Sequence, residues 1–244
     1  STDAITRFLP SFFGPMMDEE INALHKALEN PEKPSLAIIG GSKVSTKISV
    51  LKNLVCKLDN LIIGGGMANT FLYAGGSPIG KSLYEPDFKE TVNVIHELAK
   101  KYDCKIFLPV DVVVSKDFIK NADHKIVNIN ECPSDHMILD IGEKSIELYK
   151  RIISSSKTIL WNGPLGAFET KPFDKGTNAL AKHTSLITVN KKCVSVAGGG
   201  DTVSALNSIN VTADFSYVSS AGGAFLEWLE GKELPGIKAI NLSK

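Results

Sequence analysis

Leu36-Ala-Ile-Ile-Gly-Gly-Ser-Lys-Val-Ser-Thr-Lys47 contains the design that later segments repeat. Leu36 to Ile39 form an apolar run suited to a short buried strand, and Gly40-Gly41 end it abruptly. Ser42 is then placed to cap a helix carrying Val44, Ile48, Leu51 and Leu54 on one side. Glycine before a helix lets backbone N–H groups approach an anion, and the helix dipole favours negative charge there. Lys43 and Lys47 are four positions apart, which on a helix puts them on one face. Two ammonium groups at a positive pole oppose folding unless a polyphosphate sits between them. Alone, the stretch is equally compatible with an ordinary strand-to-helix turn carrying two solvated lysines.

The 244 residues suffice for one large α/β domain or two small ones, and 43% hydrophobic residues supply a sizeable core. Lysine plus arginine and aspartate plus glutamate each number 27. That balance argues against a general nucleic-acid or acidic-membrane binder, because no basic excess exists to neutralise phosphate backbones. Cys56, Cys104, Cys132 and Cys193 are far apart and form no CxxC pair, so reduced, buried thiols are expected. No apolar run approaches a membrane span and no signal peptide opens the chain. A soluble, cytoplasmic monomer is the expectation.

Along the chain, the spacing of Met17, Ile21, Leu24 and Leu28 predicts a helix over about 16–28, stopped by Pro31 and Pro34. The opening strand and its helix follow over 36–57. A second strand, Leu61 to Ile63, runs into Gly64-Gly65-Gly66 and a helix from Met67. Residues 75–82 satisfy the P-loop pattern GxxxxGK[ST], but a P-loop needs a buried strand before it and an unbroken helix after it. Helical residues precede this one and Pro86 follows, so a polar surface loop is expected. A helix at about 87–102 leads to a strand at Lys105 to Asp111. Residues 112–139 read as irregular, with one short strand at Lys125 to Ile129. A helix at about 143–154 precedes Thr158 to Gly166, and another follows Gly176. Val194 to Thr202 and Phe215 to Gly223 each introduce a further helix, the last ending near Glu230.

Strands alternating with helices predict an α/β fold: a Rossmann-like three-layer sandwich on a six-stranded, mostly parallel sheet. Right-handed crossovers place all the strand-to-helix turns on one edge. Five of those turns are glycine-rich, at 40–41, 64–66, 163–166, 198–200 and 222–223. Ligands of open α/β sheets bind along that edge, so a nucleotide or phosphate site is favoured. A dinucleotide fingerprint is incomplete: Gly64 to Asn69 lacks the third glycine, and no acidic residue ends a second strand about 20 residues on. Metal hydrolysis is weaker still, since the five histidines have no ligand spacing.

Taken together, the motifs resemble the C-terminal, nucleotide-binding domain of phosphoglycerate kinase. They are Gly40 to Lys47, Ile63 to Ala68, Leu108 to Asp111, Leu139 to Gly142, Trp161-Asn-Gly-Pro164, Gly198 to Thr202 and Leu229 to Gly236, in the family's order and across nearly the whole chain. The resemblance implies phosphoryl transfer between 1,3-bisphosphoglycerate and ADP, giving 3-phosphoglycerate and ATP, with Mg²⁺. It further implies that Lys47 holds the nucleotide phosphates, with Gly41 and Ser42 beside it, and that Lys43 steadies the phosphoryl group in flight. Gly65 and Gly66 would form part of the adenine wall, with Leu139 packing nearby. Glu169 would accept from the ribose hydroxyls and Asp201 would hold the Mg²⁺. Gly199, Gly200 and Thr202 would complete the phosphate turn. Ser220, Gly222 and Gly223 would offer backbone donors to the migrating group.

Two positions depart from the family pattern: Ile138 and Ala221 stand where many members have glycine. The family's N-terminal domain, which binds the phosphoglycerate, has no counterpart, so the chain reads as a domain fragment. On that reading 1–14 is an interdomain segment, 15–235 the nucleotide-binding domain with the interdomain helix at about 16–28, and 236–244 a C-terminal tail. The fragment alone is expected to bind Mg-ADP or Mg-ATP with negligible turnover. The rival is a Rossmann-like module that senses a nucleotide or sugar phosphate without catalysis, and the set Lys43, Lys47, Glu169 and Asp201 favours the kinase.

Overall fold

The computed structural model describes residues 4–241. Its main sheet contains β1 (Ser35–Ile39), β2 (Asn60–Ile63), β3 (Lys105–Phe107), β7 (Thr158–Asn162), β8 (Val194–Ala197) and β9 (Tyr217–Val218). All five pairings are parallel, in the order β3-β2-β1-β7-β8-β9. The six-stranded α/β sandwich expected from the alternating pattern is therefore present.

Its strands are buried on both faces because successive side chains point to opposite sides. Leu36 and Ile38 of β1 join one core with Ile62, Ile159 and Trp161. Ala37 and Ile39 join the other with Leu61, Ile63 and Leu160. The first core is covered by α5 (Glu143–Ser155), α6 (Lys175–Val189) and α7 (Gly200–Ser208), through Tyr149, Leu180 and Leu206 among others. The second is covered by α1 (Pro15–Leu24), α2 (Ile48–Val55), α3 (Gly65–Ala74), α4 (Lys89–Lys101) and α8 (Gly223–Leu229). A π-helical turn, His25–Glu29, continues α1, and α9 (Pro235–Asn241) follows α8. Strand order reverses between the neighbours β1 and β7, so the sheet has its topological switch point there.

Four expectations are corrected. Residues 112–139 contain more than the one short strand expected at 125–129, which is β5 (His124–Asn128): with β4 (Asp111–Ser115) and β6 (Met137–Ile141) it forms a separate antiparallel sheet in the order β5-β4-β6. The predicted strand 105–111 is split, with β3 ending at Phe107 and β4 beginning at Asp111. Pro109 has no N–H for a ladder and stands between them. Asp111 is instead buried, where its carboxylate accepts from Lys144 N–H (3.0 Å), Ser145 N–H (2.7 Å) and the Ser145 hydroxyl (2.6 Å). It ties the small sheet to the first turn of α5, whose unpaired N–H groups need acceptors.

The third correction concerns the opening motif. Ser42 caps no helix: α2 begins at Ile48, preceded by Lys47, and Gly40 to Lys47 form a long turn. Lys43 therefore lies outside the helix, and the two lysines do not share a helical face. Among the cysteines, Cys104, Cys132 and Cys193 are buried free thiols, but Cys56 is exposed. No helix of the described residues is long and apolar enough to cross a membrane.

Candidate functional site

The turns after β1, β2 and β7 meet backbone to backbone at the switch point. Gly40 N–H donates to the Asn162 carbonyl (3.0 Å), Gly64 N–H to Ile39 (2.9 Å) and Gly65 N–H to Leu165 (3.0 Å). A Cβ added at Gly40 would stand 1.8 Å from the Pro164 carbonyl oxygen, and one at Gly163 (φ +101°) would stand 2.2 Å from that of Gly40. Only glycine permits this approach. Gly40→Ala should therefore lower the free energy of unfolding by about 1–3 kcal/mol, the usual range for overpacking. An unchanged urea midpoint would show that the two turns separate freely.

Lys47 is anchored across this seam. Its ammonium donates to the Gly40 carbonyl (2.6 Å), Asn162 Oδ1 (2.6 Å) and, more weakly, the Asn162 carbonyl (3.3 Å). Burial pulls its pKa down to about 8, with the Asp201 carboxylate acting in the opposite direction. Asn162 in turn donates through Nδ2 to the Gly198 carbonyl (2.8 Å), while Thr202 Oγ1 accepts from Gly163 N–H (2.7 Å). The turns after β1, β7 and β8 thus form one hydrogen-bonded floor. Asn162 has no role in the sequence reading, although Trp161-Asn-Gly-Pro164 is among its motifs. That quartet was the available signal.

Beside the floor opens a cavity of about 400 Å³ between the turns and the small sheet. Gly41, Ser42, Gly65, Gly66, Leu139, Glu169 and Asp201 line it, so seven of the anticipated positions converge there. The lining also includes the apolar side chains of Leu83, Val112, Phe118, Met137 and Ile138. Of these only Ile138 entered the sequence analysis. Val112, Phe118 and Met137 come from the stretch read as irregular and Leu83 from one assigned to no element, where no periodicity marks a wall.

The remaining anticipated residues stand apart from that lining. Lys43 is exposed in the turn. Gly199, Gly200 and Thr202 open α7, in whose first turn Asp201 lies exposed. Ser220, Gly222 and Gly223 are exposed before and at the start of α8.

Asp140 deserves notice among the cavity's groups because it is nearly fully buried. Burial pushes its carboxyl up to about 7, although Gly176 N–H and Ile141 N–H (both 2.8 Å) favour the charged form. It joins β6 to the start of α6 and thereby fixes the wall that carries Leu139.

Asp201 is suited to an oxygen-seeking cation. Among the described residues no three His, Cys, Asp or Glu side chains cluster as a metal cage. A divalent ion here would take one carboxylate and complete its shell from a phosphate and water, which is how Mg²⁺ is usually bound.

Comparison with known proteins bears on the family and the fold. The family model for phosphoglycerate kinase matches residues 1–232. A phosphoglycerate kinase of Methylorubrum extorquens (strain PA1) is 56% identical over 240 residues, covering 98% of this chain and 60% of the relative. One of Zymomonas mobilis subsp. mobilis is 54% identical with the same coverage. Among solved structures, phosphoglycerate kinase from Coxiella burnetii superposes with a TM-score of 0.95 at 44% identity, covering 100% of this chain and 62% of its own. That of Pyrococcus horikoshii OT3 gives 0.81 at 27% identity, covering 99% and 60%. The chain thus spans about 60% of the length of these relatives.

Proposed function

The chain belongs to the phosphoglycerate kinase family, and from that premise we propose that it is the nucleotide-binding half of such a kinase, working as a cytoplasmic monomer. In this reading it holds ADP or ATP for phosphoryl transfer to and from the phosphoglycerate, which the remaining part of the enzyme would bind. The observation that carries it is the continuity of one cavity. Its lining combines the apolar Leu83, Val112, Phe118, Met137 and Ile138 with the glycine turns at 41 and 65–66, Glu169 and Asp201, while Lys47 is anchored in the floor beside it, outside the lining.

The base would lie between Gly65-Gly66 and the wall of Ile138 and Leu139, with Glu169 accepting from the ribose. The phosphates would meet Lys47, the opening N–H groups of α7 and, near the reacting end, Lys43 and the Gly222-Gly223 backbone. Mg²⁺ would be held by Asp201 and would neutralise phosphate charge. Phosphoryl transfer asks little covalent chemistry of the protein, so positioning and charge neutralisation are what these groups contribute.

The test is calorimetric titration of the chain with ADP, with and without Mg²⁺, repeated for Asp201→Ala. The wild-type chain is expected to bind Mg-ADP, and the variant to lose about tenfold more affinity for Mg-ADP than for metal-free ADP, a difference of about 1.4 kcal/mol. A bare carboxylate at that point repels phosphate, so metal-free binding should change little or improve. Equal losses in both titrations would remove Asp201 from the cation site.

A further inference from the structure

The segment that resembles a P-loop has a different use. It leaves α3, passes under the small sheet and returns to the turn that carries Lys43. Residues 75–82 form an irregular surface loop, as expected, but Ile79 and Ser82 within it are buried. Gly80 bridges to Met137, Lys81 N–H donates to the His136 carbonyl (2.7 Å), and Ile138 N–H donates to Ser82 Oγ (2.8 Å). These bonds hold it to β6, the base-side wall of the cavity.

Its other end grips the phosphate-side turn. Glu85 takes two hydrogen bonds from one residue there: Ser45 N–H to Oε2 (2.9 Å) and Ser45 Oγ to Oε1 (2.6 Å). Glu85 is itself held by α3, since its N–H donates to Thr70 Oγ1 (3.1 Å), while Asn69 Nδ2 donates to the Leu83 carbonyl (3.1 Å). The turn has two other anchors: Val44 is fully buried in the core, and the Gly41 carbonyl accepts from Met67 N–H (3.1 Å), so Glu85 fixes the exposed part around Ser45. Within the turn, Lys47 N–H donates to Val44 (2.8 Å) and the Thr46 hydroxyl to Lys43 (2.9 Å), while the Lys47 ammonium makes the contacts described above and its carbonyl accepts from Leu51 N–H (2.9 Å). The first two are local and do not set where the turn stands relative to the cavity.

We infer that Glu85 is a positioning residue that clamps the Ser42–Lys47 turn, and that residues 79–85 tie this turn to the base-side wall at Ile138. The inference deepens the nucleotide reading above and rests on it. A bidentate carboxylate on one backbone N–H and its own hydroxyl fixes both position and rotation of the turn, as two parallel charge-assisted bonds do. Lys43, two residues before Ser45, is exposed and depends on that orientation to meet a phosphate.

Simple electrostatics gives the opposite sign, which makes the inference decidable. Removing a negative charge beside an anion site should tighten ADP binding, whereas losing the clamp should weaken it. The probes are ADP and adenosine, titrated into the full chain and into Glu85→Ala, Glu85→Gln and Ser45→Ala. The expected result is about tenfold weaker ADP binding by Glu85→Ala, with adenosine affinity unchanged. Glu85→Gln should restore most of it, because its amide can accept from Ser45 N–H and donate to Ser45 Oγ. Amide exchange at 45–47 should quicken in Glu85→Ala and recover in Glu85→Gln. If Glu85→Ala does not fold, Ser45→Ala, which removes a single exposed hydroxyl bond, must still weaken ADP binding without affecting adenosine.

Unchanged or tighter ADP binding by the folded variants overturns the clamp while leaving the nucleotide site standing. Equal losses for ADP and adenosine would reduce Glu85 to general support of the cavity and also overturn it. Absence of ADP binding by the wild-type chain would overturn the site itself, and the clamp with it.

Discussion

Supplied with ATP and 3-phosphoglycerate, the 244-residue chain should show no phosphoglycerate kinase turnover above background, and adding the N-terminal part of a relative should restore it by several orders of magnitude. Phosphoryl transfer needs the acceptor in line and about 3 Å from the donor, and that positioning alone contributes about 7–11 kcal/mol in well-oriented systems. Holding an acceptor with a carboxylate and a phosphate calls for clustered cations. The sequence contains two arginines, Arg7 and Arg151. Arg151 is exposed in the half of α5 that leads into the start of β7, at the edge opposite the glycine turns. On the proposed reading Lys43 and Lys47 serve the nucleotide. Closure over the substrates, which excludes water, also requires a second body to close. A coupled assay decides the matter: full activity from the chain alone would place an acceptor site within these residues and refute the division.

The second large effect is expected at Lys47. Lys47→Met should weaken ADP binding about 100-fold, since truncating one member of a hydrogen-bonded charge pair costs about 2–5 kcal/mol. Adenosine, which has no phosphate for the ammonium, should bind as before. The same residue predicts a proton linkage. In the unliganded chain its pKa lies at about 8 rather than the ordinary 10.5, because burial disfavours the charge. A polyphosphate placed against the amine favours the charged form and raises the pKa. Binding of ADP above about pH 8 should therefore take up a proton at this residue, an uptake that fades as pH falls below 8, where the amine is already charged. Titration in buffers of differing ionisation enthalpy measures this directly. Proton release, or no uptake at pH 9, would show that the phosphates do not reach Lys47. Loss of Lys47 also leaves the Gly40 carbonyl and Asn162 Oδ1 without their donor, so a modest loss of stability should accompany it. Adenosine affinity separates the two effects.

The site depends on the geometry of a parallel sheet at its switch point. β1 and β7 lie side by side, and their glycine turns touch through backbone atoms alone. That contact brings Lys47, from the turn after β1, onto Asn162 at the end of β7. Asn162 reaches the turn after β8 through the Gly198 carbonyl, and Thr202 returns a bond to Gly163. The floor is cross-linked by hydrogen bonds where, on the proposed reading, phosphate charge would have to be met without reorganisation. Its neighbour, the small antiparallel sheet, carries the apolar wall and is fastened by two buried aspartates, Asp111 to α5 and Asp140 to α6.

Local sequence determined the main sheet. The runs Leu36 to Ile39, Leu61 to Ile63 and Ile159 to Trp161 are short, apolar and bounded by glycine, so the strand, its end and its double burial follow from neighbouring residues. The common edge of the glycine turns follows as well, because crossover handedness has one solution. Tertiary structure decided what periodicity cannot carry. Of the small sheet only β5, His124–Asn128, was foreshadowed, by the short strand expected at 125–129; β4 is a fully buried Val-rich run just after Pro109, and β6 is half-buried, so neither showed the alternation that marks a strand. The start of α2 was decided by Lys47 finding Asn162, a residue 115 positions away. That contact held Gly40 to Lys47 as an open turn where local preference for a Ser42 cap favoured helix. Glu85 belongs to the same class: its two bonds to Ser45 span 40 positions. Propensity and spacing act over a few residues, whereas a turn held by distant side chains takes its shape only once the sheet has brought those side chains to it.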